Sequence, residues 1–192
     1  MSKEITPENW LEPDGPMQYY VKVLPNGQIE PASVLDWLHL MLGPQLLPSV
    51  PQEVRDLFEG ARGALIYGCF SYRLYFLGVT ELQRVADAAV AHKYNQLNGP
   101  PSKRKFGPSF DDAIKWLAGE GVLQLAEWEW MPNARNVASH LKEAGIINPP
   151  MAIQVLEKIT KMINALYQTQ SQRLWQTLVT NGENEDVSHF TH

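Results

Sequence analysis

Apolar positions follow two different periods along this chain. Residues 18–24 are rich in β-formers, Pro25-Asn26-Gly27 is a turn signal, and Gln28-Ile29-Glu30-Pro31 leads back, so a small hairpin is expected. Ser33 is placed to cap a short helix whose apolar residues are Val34, Leu35, Trp37, Leu38, Met41 and Leu42. From residue 51 the period becomes helical. Val54, Leu57, Phe58, Ala61, Leu65, Cys69 and Tyr72 recur at steps of three and four and predict one helix face. Gly60, Gly63 and Gly68 lie in this stretch, where they would let a neighbouring helix approach closely. Thr80-Glu81-Leu82-Gln83 has the spacing of a capping box, opening a second helix through Leu82, Val85, Ala86, Ala89 and Leu97. Asn98-Gly99-Pro100-Pro101 ends it.

Ser109 caps a third helix through Lys115, Trp116 and Leu117, with Asp111 and Asp112 at its positive end. Glu127-Trp128-Glu129-Trp130-Met131-Pro132 leads to a fourth over residues 133–143. Asn148-Pro149-Pro150 opens the last. Its stripe of Ile153, Leu156, Ile159, Ile163, Leu166 and Tyr167 predicts a long helix, extending toward Leu174 or Leu178. The expected fold is all-α. A four- to five-helix bundle covers residues 51–180, an extension of hairpin plus short helix covers 1–50, and an acidic tail covers 181–192.

Composition narrows the function classes. The chain has 192 residues, 44% of them hydrophobic and 19% charged, which suits a single packed domain. No apolar run approaches the roughly 20 residues that span a bilayer, and the N-terminal residues have no signal core, so no membrane and a cytoplasmic location are expected. One cysteine, Cys69, excludes an internal disulfide and a cysteine-rich zinc site, and neither metal nor cofactor is expected. A net charge of −5 argues against broad coating of nucleic acid and leaves room for a local basic site such as Lys103-Arg104-Lys105.

Phosphate-binding loops, dinucleotide fingerprints, the nucleophile elbow and the H-E-x-x-H zinc motif are absent. Helix caps and solvated faces account for Asp111-Asp112 and for Glu127 with Glu129. His39 and His92 read as residues of amphipathic helices, and His189 and His192 fall in the tail. What remains is Arg135-Asn136-Val137-Ala138-Ser139-His140, just ahead of the longest apolar helix.

Taken with 58–68 (Phe58-Glu-Gly-Ala-Arg-Gly-Ala-Leu-Ile-Tyr-Gly), with Arg84-Val-Ala-Asp-Ala-Ala and with the long final helix, this block resembles the HEPN superfamily over about residues 51–170. Its ribonucleases carry Arg-x4–6-His, often with a polar residue after the arginine. The resemblance implies a homodimeric helical bundle and a metal-independent endoribonuclease. Family members serve as toxins paired with an antitoxin or in phage defence, and others are inactive RNA-, nucleotide- or protein-binding dimerisation modules.

The residues carry suitable chemistry. Cutting RNA without a metal needs a base for the 2′-hydroxyl, an acid for the leaving 5′-oxygen and a cation for the phosphoryl charge. His140 can take either proton role, Arg135 can grip phosphate oxygens, and Asn136 and Ser139 can position them. Five residues turn a helix by about 500°, so Arg135 and His140 would point about 140° apart. A single helix makes a poor site of them, whereas two copies across a dimer axis supply two of each. Two other readings of the residues stay open. Arg135 can pair with Glu129 or Glu143 as a surface ion pair, and Lys103-Arg104-Lys105 can be a plain solvated loop or a guide for RNA phosphates. Trp116, Trp128 and Trp130 are read as core or interface residues before base-stacking ones.

Overall fold

The computed structural model describes residues 3–102, 107–131 and 147–168. After a lead-in, a 3₁₀ turn spans Gly15–Tyr19 and a hairpin follows, β1 (Val21–Val23) with β2 (Ile29–Pro31), antiparallel with Lys22 opposite Glu30. The turn closes where expected. Gly27 takes φ +82°, a conformation that favours glycine, and its N–H donates to the Leu24 carbonyl. The first part of the expected strand, residues 18 and 19, belongs to the 3₁₀ turn instead.

Six helices are described: α1 (Val34–Leu42), α2 (Gln52–Tyr67), α3 (Arg73–Gln96), α4 (Phe110–Gly119), α5 (Leu125–Trp128) and α6 (Pro149–Tyr167). The described chain is therefore mostly helical with a small hairpin near its N-terminus. None of the described helices is long and apolar enough to cross a membrane.

Local chemistry explains several of the helix ends. Ser33 and Ser109 each make a full capping box, with Asp36 and Asp112 respectively, and Asn148 accepts from the Met151 N–H at the start of α6. α3 and α4 close alike. Gly99 N–H donates to the Tyr94 carbonyl across Asn98 at φ +54°, and Val122 N–H donates to the Leu117 carbonyl across Gly121 at φ +69°. α6 ends at Tyr167, where Gln168 is extended, and Leu174 and Leu178 lie outside the described residues.

The boundary between the two long helices differs from expectation. Thr80 and Gln83 do not open a helix; they sit inside α3, where Thr80 Oγ1 donates to the Phe76 carbonyl four residues back. The break lies at residues 68–72, after Tyr67. Asp14 fastens it from outside: its N–H donates to the Cys69 carbonyl at 2.7 Å and its carboxylate accepts from the Tyr72 N–H at 2.8 Å. A turn whose free backbone groups are satisfied by a residue more than fifty positions away leaves no local signature.

The short connection makes α2 and α3 antiparallel neighbours. They pack tightly at Gly78, where an added Cβ would lie 2.5 Å from Leu65 Cδ2 and 3.1 Å from the Leu65 backbone nitrogen. Gly60 and Gly63, expected at the contact, face open space. Around this contact Val54, Phe58, Ala61 and Leu65 of α2 meet Val79, Leu82, Val85, Ala86 and Ala89 of α3, and α6 adds Leu156, Ile159 and Ile163. α1 brings Trp37 and Met41 into the same core. Trp37 is fully buried, its indole N–H donates to the Leu65 carbonyl at 3.2 Å, and Tyr20 and Tyr75 meet its ring edge-on at 5.6 and 5.3 Å. Cys69 is fully buried beside this cluster, and burial pushes its thiol up to about 11.

The two kinds of glycine predict opposite outcomes. Gly78→Ala must shift Leu65 and its backbone, and thermal denaturation should show a loss of about 1–3 kcal/mol. Gly60→Ala meets no neighbour and should gain about 0.5–1 kcal/mol from helix propensity. Equal effects at the two sites would refute the placement of the close contact.

Candidate functional site

Arg135, Asn136, Ser139 and His140 lie outside the described residues, as do Lys103, Arg104, Lys105, Glu143 and the tail histidines. The flanks of the motif segment are described, and both are held firmly. Met131 is 2% exposed, Trp128 is wholly within the core against Phe110, and on the far side Asn148 caps α6 above a half-buried Ile147. Four residues of chain separate Met131 from Arg135 and cannot span more than about 14 Å.

The tryptophans and carboxylates singled out in the sequence have separate roles. Trp130 is half-buried and packs on the core, and the Lys158 ammonium sits 4.2 Å from its ring centroid. Trp116 is half-buried against Tyr94, 4.8 Å between centroids. Trp128 is core, as expected; Trp130 is only partly so. Asp111 pairs with Lys115 at 2.7 Å and Asp112 completes the cap of α4, so both have the structural roles read for them.

The histidines divide similarly. His92 is half-buried, 3.2 Å from the Tyr167 hydroxyl, which donates to the Ala89 carbonyl and ties α6 to α3. Burial raises the Tyr167 phenol well above its usual range. His39 is exposed near the end of α1 and lines an open groove of about 500 Å³ with Lys22, Asp36, Pro44 and Glu157. This groove joins hairpin, α1 and α6, a juxtaposition with no signal in the sequence beyond the alternation that turns Lys22 toward α1. Lys22 bridges both oxygens of Asp36 at 3.1 Å.

Arg62, part of the stretch that carries the family resemblance, is also accounted for structurally. It is 6% exposed, pairs with Glu59, donates to the Pro44 carbonyl at 3.1 Å and lies over Phe58. Among the described residues no group of three or more His, Cys, Asp or Glu stands close enough to hold a metal ion. No family model matches this chain, and neither the curated proteins nor the solved structures contain a significant match.

Asp36 offers a direct check of the groove. Its carboxyl is lowered to about 2, first by the Ser33 hydroxyl, then by the Ser33 backbone N–H and Lys22. A depressed folded value means that the capping contribution is complete above about pH 4 and fades as pH falls through about 2. In an NMR titration Asp36 should show a midpoint near 2, and Ser33→Ala should return it toward the ordinary aspartate range. An unchanged midpoint in that variant would show that the hydroxyl does not hold the carboxylate.

Proposed function

We propose that this chain is a metal-independent endoribonuclease of the HEPN type, working as a homodimer with a composite Arg135 and His140 site. The observation that carries the reading is the block Arg135-Asn136-Val137-Ala138-Ser139-His140 on the segment joining α5 to α6, in a mostly helical chain where the α2–α3 pair precedes it and α6 follows. In this reading Arg135 binds the phosphoryl oxygens of unpaired RNA. One His140 takes the 2′-hydroxyl proton, and the other protonates the leaving 5′-oxygen. The products are a 2′,3′-cyclic phosphate and a free 5′-hydroxyl. Asn136 and Ser139 orient the pair, and Lys103, Arg104 and Lys105 guide the phosphate chain.

The setting that fits such an activity is a toxin held by an antitoxin protein, or a phage-defence effector. The net charge of −5 favours a second reading, a catalytically silent bundle that dimerises and binds RNA, nucleotide or a partner protein.

Purified protein incubated with mixed RNA and excess chelator separates the two. The nuclease reading expects cleavage to 2′,3′-cyclic ends, reduced at least about a hundredfold by His140→Ala with the dimer intact on sizing chromatography. Cleavage that requires Mg²⁺, or that persists in His140→Ala, would overturn it.

A further inference from the structure

We propose that the outer edge of β1 takes up an extended segment of another protein. The segment is an apolar–basic–apolar strand that pairs antiparallel with Val21–Val23 and sets its central basic side chain into the groove beside α1 and α6. The inference goes beyond the nuclease reading and uses none of residues 132–146.

The hairpin's own hydrogen bonds fix which backbone groups point outward. Leu24 N–H donates to the Gln28 carbonyl, Ala32 N–H donates to the Tyr20 carbonyl, and the register sets Lys22 opposite Glu30 between them. These pairs bond across the ladder, so the N–H and C=O of Val21 and of Val23 point away from β2. The sheet has two strands, and no third lies beside β1 among the described residues. β2 is not an equivalent edge, because it ends on Pro31, which has no N–H to offer. A charge often guards a bare edge. Here Lys22 is turned under the sheet onto Asp36 and leaves the edge open.

The side chains above this edge suit a further strand. Alternation puts Val21, Val23 and Ile29 on the face away from α1, where they are 49%, 69% and 67% exposed. Apolar residues of an arriving strand, paired with Val21 and Val23, would lie against them.

The other face sets the charge of the occupant. The residue that arrives opposite Lys22 shares its face, toward the groove of about 500 Å³ that Lys22 lines with Asp36, His39 and Glu157. No β2 residue lines this groove, so it lies on the β1 side of the hairpin. It holds two carboxylates and one lysine, and the lysine already bridges both oxygens of Asp36 at 3.1 Å. The Glu157 carboxylate then leaves the groove negative, which fits an arginine or lysine and disfavours an acid. A second copy of this chain fits less well. Two-fold pairing of β1 with β1 would bring two α6 helices, each lining its own groove, beneath one seam.

The test titrates the full chain with the blocked peptide Thr-Val-Arg-Val-Thr and follows backbone amide NMR signals. Saturable shifts at the Val21 and Val23 amides are expected, and the same peptide with Glu in place of Arg should bind at least about threefold more weakly. Val21→Pro removes an outward donor that the hairpin does not use, after a Tyr20 that is already extended, and should weaken binding about fivefold. Glu157→Gln, an exposed change on α6, should bring the two peptides to nearly equal affinity. Peptide-insensitive Val21 and Val23 amides overturn the proposal, as does parental affinity in Val21→Pro. A preference for the Arg peptide that survives Glu157→Gln overturns the placement of its side chain in the groove. A dimer of the parent chain that Val21→Pro dissociates on sizing chromatography overturns the separate partner and assigns the edge to a second copy.

Discussion

The structure depends on how closely α2 can lie against α3. Gly78 removes the side chain that would hold the helices apart, and Leu65 fills the space. The carbonyl of that same Leu65 accepts the Trp37 indole N–H, so the contact that pairs the long helices also fixes α1. Tyr75 continues the chain of contacts. Its ring meets Trp37 and leaves no room for a side chain at Gly68, and its hydroxyl reaches Met17 Sδ at 3.1 Å. Asp14 then closes the turn between the helices. One end of the bundle is thus an aromatic cluster built jointly by residues 14–37 and 65–78. α6 is held by its core residues Leu156, Ile159 and Ile163, by the Tyr167 hydroxyl on the Ala89 carbonyl, and by Asn164, which clasps Gln45 and Leu47 through both of its amide atoms.

What could be read from the sequence follows the range of the interactions responsible. Ser33, Ser109 and Asn148 cap helices through contacts three residues long, and the Asn26-Gly27 turn is equally local. These were visible because each needs only its neighbours. The α2–α3 boundary is not legible, because Thr80 and Gln83 copy a capping pattern while the actual break is satisfied by Asp14, more than fifty residues away. The glycines show the same limit. Gly60, Gly63 and Gly78 look alike along the chain, and only the packing of Leu65 tells which one is needed. The motif block is legible as chemistry, and its position between α5 and α6 is legible as order along the chain. The groove among Lys22, His39 and Glu157 is not, because α6 comes to it from more than a hundred residues further along the chain than the hairpin and α1.

Charge constrains any anionic ligand. Lys22, Arg62, Arg84 and Lys115 are each engaged with a carboxylate of their own helix or a neighbouring element, which in a chain of net charge −5 limits the positive charge left for such a ligand.

Cys69 sits in the turn that Asp14 closes, without solvent contact and with its thiol held protonated at neutral pH. Reagents that attack thiolates reach it only when this end of the bundle opens. As the one sulfhydryl in the sequence, it makes the native chain its own timer for that opening: the pace of alkylation reports how often the aromatic cluster comes apart.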